Sequence, residues 1–244
     1  MNNSILHQTA KPKYTFHQIL EGIEGIAIMI ACYLTFFLKP LRNRWGLTKS
    51  EANRSLIGDE IVEQPKAQFS HGVAINAPAS AVWPWVAQMG QGRGGFYTYE
   101  ALENLAGLNI SNANKILPAF QQPKIGDLIP FSPTDAYPLV FCESRKAMVL
   151  GVWYDIDNGT IFNPEEVAPD NCFRLSWLWY VEDLGNNRSR FISRNRLTYS
   201  PSFTNKLLFG WLMEPIVFAM DRKMCLGIKK RAERYFKGGE NLST

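Results

Sequence analysis

Apolar positions along the chain change period several times, and each change marks an element. From Phe16 to Leu38 (FHQILEGIEGIAIMIACYLTFFL) they are dense, and Gly25 to Leu38 carries no charge. About 20 apolar residues are needed to cross the hydrocarbon. Running back past Glu24 and Glu21 supplies that length, and a carboxylate near a helix end can reach the interface. The expectation is a single membrane helix over about residues 20–41. The two glutamates keep a second reading open, an amphipathic helix on a membrane or docked on the protein. Residues 42–67 mix charge, Gly and Pro as a linker does. Within them Thr48-Lys49-Ser50-Glu51 has the form of a capping box.

Beyond residue 68 the period shortens to two. Phe69 to Ile75 alternates as a strand. Ala77-Pro78-Ala79-Ser80 opens a short helix interrupted by Pro84, and Tyr99 to Leu105 reads as a second, ending at Gly107. Strands at 139–143 and 147–153 flank Ser144-Arg145-Lys146. Strands at 173–181 and 190–199 flank Leu184-Gly185-Asn186-Asn187; both pairs read as hairpins. Phe173, Leu175, Trp177, Trp179 and Val181 share one face. In the partner strand Arg190, Ile192, Arg194 and Arg196 alternate with Phe191, Ser193, Asn195, Leu197 and Tyr199, and a slip of one residue exchanges which set meets the core. A helical period then runs from about Thr204 to Phe236, with Glu214-Pro215 as a kink or break. Strand, two short helices, antiparallel strands and one long helix make an α+β fold, with a cavity between curved sheet and C-terminal helix.

Val82 to Tyr99 (VWPWVAQMGQGRGGFYTY) carries the most concentrated chemistry. Its glycines permit a tight turn and close backbone approach. Gln88, Gln91 and Arg93 are polar groups on that turn, and Phe96, Tyr97 and Tyr99 add aromatic surface. With Trp177, Trp179, Trp211 and Glu214 they form the candidate ligand-binding set. A structural turn, core tryptophans and surface or ion-paired charges are the competing readings for the same residues. Arg194 and Arg196 need a partner if they face inward, and Glu214 is one candidate. Glu100 and Glu103, three apart on a short helix, read as a solvated face. GQGRGG brushes against a dinucleotide fingerprint but follows a helix, with no parallel βαβ unit around it.

The string AINAPASAVWPWVAQMGQGRGGFYTYEALENLAGLNI resembles the start of many SRPBCC-superfamily proteins, the START-like and polyketide cyclase/dehydrase group with the helix-grip fold. WGLTKSEANRSLIGDEI and LMEPIVFAMDRKMCLGIKKRAER are similar to a bacterial membrane-anchored subgroup, so the resemblance covers roughly residues 45–236. It implies a helix-grip domain over residues 68–237, with a hydrophobic pocket under the C-terminal helix. It does not imply a reaction, because one fold carries many functions. The leading expectation is a membrane-anchored protein that binds a lipid-like or aromatic, polyketide-like molecule; the alternatives are a cyclase- or dehydratase-type enzyme using Arg93, Tyr97, Tyr99 or Glu214 and a structural, partner-binding module at the membrane.

Composition adjusts this picture modestly. Net charge is +4 over 244 residues, well short of a nucleic-acid footprint. Lys39, Arg42, Arg44, Lys49 and Arg54 follow the apolar helix, whereas Lys11 and Lys13 alone precede it closely. The positive-inside rule therefore makes the chain a single-pass protein of the cell inner membrane, its C-terminal domain cytoplasmic. Four scattered cysteines without a C-x-x-C pair read as reduced thiols, not metal ligands. Only His7, His17 and His71 are present, which argues against a His-centred catalytic constellation. No cofactor or metal is expected, and oligomeric state is not legible.

Overall fold

The computed structural model describes residues 14–240. Residues 1–15 and 238–244 read as loose ends; residues 1–13 and 241–244 lie outside the described residues, whereas a helix runs on through Gly238 to Glu240. Strands β1 (Ala67–Ile75), β2 (Leu128–Pro130), β3 (Ala136–Glu143), β4 (Ala147–Asp155), β5 (Thr160–Ile161), β6 (Cys172–Gly185) and β7 (Arg188–Tyr199) pair antiparallel throughout. Their order is β1-β7-β6-β4-β3-β2, with β5 added to β4. Helices α1 (Phe16–Leu34), α2 (Lys39–Arg42), α3 (Lys49–Asn53), α4 (Ala79–Ala87), α5 (Glu100–Leu105), α6 (Phe203–Leu207) and α7 (Met213–Glu240) complete the chain. The curved sheet wraps α7, which is the helix-grip arrangement.

The β6–β7 hairpin sets the core. Asn186 and Asn187 both adopt positive φ, 51° and 54°, as a two-residue turn matched to strand twist requires. That turn pairs Trp177 with Asn195 and Trp179 with Ser193. Phe173, Leu175 and Trp177 then face α7, as do Asn195 and Leu197. The opposite set, Arg190, Arg194 and Arg196, meets the linker on the outer face. Arg194 is 1% exposed and bonds Asp59 Oδ2 at 2.7 Å, with the carbonyls of Arg54 and Ala52 at 2.9 and 3.0 Å. Arg196 reaches the Val62 carbonyl, and Arg190 pairs with Glu51. Glu214 is therefore not the partner of these arginines. The linker can reach them because the Thr48–Glu51 capping box forms and starts α3 at the sheet edge.

Both ends of the long helices differ from the periodic reading. A capping box between Thr15 and Gln18 starts α1 at Phe16. It ends at Leu34, where the Thr35 hydroxyl bonds the Ala31 carbonyl and Pro40 lies ahead. At the other end, Pro215 lacks an N–H and crowds the preceding turn. A π-helical turn over Leu208–Leu212 absorbs this before α7 runs on unbroken.

α1 packs antiparallel along α7. Gly25 has no room for a side chain, since a Cβ would lie 2.8 Å from Leu102 Cδ1 and 3.0 Å from the Tyr99 ring. Glu21 Oε1 accepts from Lys223 Nζ at 2.6 Å, and Glu24 lies 3.5 Å from Arg222 Nη1. The Tyr33 hydroxyl donates to the Leu212 carbonyl at 2.9 Å. Arg42, just past α1, holds buried Glu214 bidentately at 2.8 and 3.0 Å.

Asp59 is thus the charge that lets Arg194 stay buried. We expect Asp59→Asn to cost about 3 kcal/mol in urea unfolding, as removal of one partner of a buried pair does. Lys146→Ala, which removes an exposed pair with Glu143, should cost less than about 1 kcal/mol. Equal costs for the two would show that the Arg194 pair does not fasten the linker.

Candidate functional site

Between the sheet and the first turns of α7 lies a cavity of about 280 Å³. Its walls are mostly aromatic and aliphatic: Phe96 and Trp177 stack with centroids 5.7 Å apart, and Phe131 stacks on Tyr137 at 5.1 Å. Met213, Val217 and Met220 form the α7 side. Two polar groupings interrupt this surface, which is the composition of small-molecule sites.

One grouping centres on Asp221, 4% exposed and part of the cavity wall. Its Oδ2 meets His71 Nδ1 at 2.9 Å and accepts from Asn195 Nδ2 at 3.0 Å and Ser193 Oγ at 3.2 Å. Trp177 Nε1 donates to Ser193 Oγ at 3.0 Å. His71 is wholly buried behind this network, edge-on to Phe218, and its Nε2 has no partner among the described residues. The second grouping is Glu103 with Thr98. Both line the cavity, and Glu103 Oε2 and Thr98 Oγ1 have no hydrogen-bond partner among the described residues. Burial pushes the Glu103 carboxyl up to about 7. The nearby Thr98 hydroxyl, outside bonding geometry, opposes the rise, and the charge of Glu100 adds to it. Tyr137, also in the wall, has its phenol pushed up to about 12 by burial and remains a donor.

The glycine loop supports this wall rather than forming it. Gly90 and Gly95 exchange backbone bonds at 3.2 and 3.0 Å, and Gly90, Gly92 and Gly95 take φ of 129°, 68° and 72°. The closed loop delivers Phe96 and Thr98 to the cavity. Gln88 is buried in the loop's own network, donating to the Tyr97 hydroxyl at 3.0 Å and accepting from Leu117 N–H at 2.8 Å. Gln91 reaches the Asn109 carbonyl. Arg93 donates to the Ala87 carbonyl at 2.9 Å and lies 4.7 Å over the Phe120 ring, its guanidinium held below the ordinary value by burial.

Of the residues singled out in the sequence, the structure brings Phe96 and Trp177 to the cavity, with Trp179 packed directly behind them. Tyr97, at φ 60°, turns away to the Trp85 carbonyl and lies beneath Arg231. Tyr99 is buried under α1, Trp211 is half exposed beside Tyr33, and Glu214 is tied to Arg42. None of these four lines the cavity, nor do Gln88, Gln91 and Arg93. The reading of Glu103 as a solvated residue is corrected: it is 4% exposed, because its side chain lines the interior cavity beside Thr98. Sequence reasoning also missed Thr98, His71, Ser193, Asn195 and Asp221 as a set. The available signal was polarity on the inward phase of β1 and β7, where His71, Ser193 and Asn195 interrupt apolar alternation.

A more polar groove of about 390 Å³ runs between the start of α1 and α7, with Lys223, Lys230, Arg231 and Arg234 among its walls. Part of its charge is consumed in the Glu21–Lys223 and Glu24–Arg222 pairs. Among the described residues no group of three or more His, Cys, Asp or Glu side chains is arranged to hold a metal ion. All four cysteines are free thiols.

No family model matches the chain, and no curated protein does. Solved structures resemble it distantly. A hypothetical protein of Helicobacter pylori is 14% identical over 76% of this chain and 99% of its own, with a TM-score of 0.44. A Streptomyces aromatase/cyclase is 16% identical over 69% and 94%, at 0.31. A norcoclaurine synthase from Thalictrum flavum is 12% identical over 67% and 91%, at 0.34. Likeness at this level says nothing of ligand or reaction.

Glu103 makes stability depend on pH. The folded chain keeps its proton up to about 7, whereas an unfolded glutamate loses it near 4.5. The contribution of neutral Glu103 is complete below 4.5 and is lost as pH rises through about 7. Glu103→Gln should therefore match the wild type at pH 4.5 and exceed it at pH 8, by on the order of 2–3 kcal/mol in urea unfolding. Parallel stability profiles for the two proteins would mean that Glu103 ionises normally.

Proposed function

We propose that this chain binds a small, largely apolar molecule in the cavity between the sheet and α7, and does so at the cytoplasmic face of a membrane. The observation that carries the reading is the cavity itself: about 280 Å³, aromatic-walled, with a few polar groups set into an apolar surface. An engineered cavity of about 150 Å³ holds benzene, so this one has room for roughly two fused rings or a short acyl segment. Neutral Glu103, Thr98 and Tyr137 offer hydrogen bonds to a ligand carbonyl or hydroxyl, and Asp221 with Asn195 offers a second polar end. An aromatic or polyketide-like molecule with oxygens at its ends fits that distribution better than a plain hydrocarbon. Membrane association is supported by α1, which is long and apolar enough to cross a bilayer. The free thiols suit a reducing compartment.

A second reading, an enzyme of cyclase or dehydratase type, is favoured by one observation. Glu103 is a buried carboxyl whose Oε2 has no partner among the described residues, and burial raises its pKa to about 7, the value an acid–base group needs at neutral pH. It replaces Arg93, Tyr97, Tyr99 and Glu214 as the group best placed to move a proton at a bound carbonyl.

Native mass spectrometry and organic extraction of the purified chain are expected to release a ring-bearing or acyl compound. Val217→Phe, which fills the α7 side of the cavity, should weaken binding of a naphthyl fluorophore at least tenfold with circular dichroism unchanged. Equal fluorophore binding by both proteins would place the ligand elsewhere. If the chain turns over a poly-β-keto substrate, the rate should inflect near pH 7 and lose that inflection in Glu103→Gln. An inflection that survives the substitution would remove Glu103 from the chemistry.

A further inference from the structure

We infer that α1 lies flat on a lipid bilayer, its outward face in the acyl chains and the whole domain on one side, instead of crossing the membrane. The inference rests on the membrane association proposed above and specifies its geometry. Phe16, Ile19, Leu20, Ile23, Ile30 and Leu34 are 47–76% exposed. Their spacing of three, four and seven puts them on one stripe. The helix is amphipathic: Glu21 turns toward α7, while half-exposed Glu24 and exposed His17 lie at the border of the apolar stripe. Glu21 and Glu24, the only carboxylates between Phe16 and Arg42, pair with Lys223 and Arg222 of α7.

The anchoring runs the full length of the helix. It begins at Gln18, bonded to Glu100 at 3.0 Å, continues through the Gly25 contact and the Tyr33 hydroxyl, and ends at the buried Arg42–Glu214 pair. A crossing helix would have to give up every one of these contacts and carry Glu21 and Glu24 into hydrocarbon unpaired.

The apolar surface does not stop at α1. Phe36, Phe37 and Leu41 continue it, and Phe203, Leu208, Trp211 and Leu212 adjoin it where Tyr33 meets Trp211 at 5.6 Å. Tyr and Trp of this kind favour the headgroup level. Lys206 stands exposed between Phe203 and Leu207, and half-buried Lys39, which follows Leu38, donates to the Gly210 carbonyl at 2.6 Å and keeps its charge at the border. Cations at the border of an apolar face complement anionic lipid phosphates. A second protein is the poorer occupant. Protein interfaces carry about one hydrogen bond per 100–200 Å², and the Phe, Ile and Leu side chains of the stripe supply no polar atom. Ile216, 39% exposed, belongs both to this neighbourhood and to the cavity wall, so the cavity borders the surface on which lipid would sit.

The test uses the full chain with vesicles of phosphatidylethanolamine and phosphatidylglycerol. Flotation should recover the protein with the vesicles. Ile23→Glu combined with Ile30→Glu should cut the bound fraction at least tenfold while leaving circular dichroism unchanged. Bimane placed by Ile19→Cys, Ile26→Cys and Leu34→Cys, read by depth-dependent lipid quenchers, should report one shallow depth at all three sites, roughly 5–10 Å below the headgroups. A crossing helix would separate the outer two sites by roughly 22 Å along the normal, with the middle site deepest. That profile would overturn the flat geometry and leave membrane association standing. No flotation at all would overturn both. Concentration-dependent dimers abolished by the two glutamates, without vesicle binding, would assign the face to a second copy of the chain.

Discussion

The alternation of β7 is the constraint on which the other features depend. Its inward phase gives Ser193, Asn195 and Leu197 to the α7 side, and its outward phase gives Arg190, Arg194 and Arg196 to the linker. A shift of one residue would press three guanidinium groups into an aromatic cavity and leave Asp59 and Glu51 without partners. Neither face alone specifies the register so firmly. The outward arginines need the linker, the linker needs its capping box, and the inward polar pair needs Asp221 from a helix more than twenty residues further along. Sheet, linker and C-terminal helix are in this sense one decision made at the Asn186-Asn187 turn.

The same division explains why the cavity has polar ends. A sheet this rich in tryptophan could close on α7 without remainder. Its polar ends differ: Asp221, Asn195 and Ser193 bond one another, whereas Glu103 and Thr98 find no partner among the described residues. Satisfied groups rigidify a wall, and unsatisfied ones wait for a partner from outside the chain. The contrast assigns different parts to the two ends: Asp221 and its neighbours fix the shape of the site, and Glu103 is the group whose state a ligand would alter.

Elements governed by local chemistry were legible in the sequence. The capping box at Thr48, both hairpins, the shared face of Phe173 to Val181 and the placement of Pro84 within a short helix follow from spacings of two to four residues. Contacts between distant segments were not. Arg42 and Glu214 are 172 positions apart, His71 and Asp221 are 150 apart, and nothing near either member indicates the other. Glu103 was misjudged for the same reason: its helix has an exposed-looking pattern, and the cavity that its side chain lines is walled by distant strands and α7. The glycine loop attracted attention through its composition, yet most of its polar side chains serve the loop, and its contribution to the cavity is the two residues it delivers, Phe96 and Thr98.

The π-helical turn at Leu208–Leu212 acts as a phase shifter between two segments that would otherwise share one helical register. One extra residue in a turn rotates everything on one side of it by about 100° relative to a continuous α-helix. Phe209 and Met213, four positions apart, both look into the cavity, while Leu208, Trp211 and Leu212 look outward beside α1. The rotation instead sets the phase of α6 against α7, on either side of a short stretch that serves two hydrophobic environments at once. The proline that makes it necessary, Pro215, sits beside the glutamate that clamps the whole junction to Arg42.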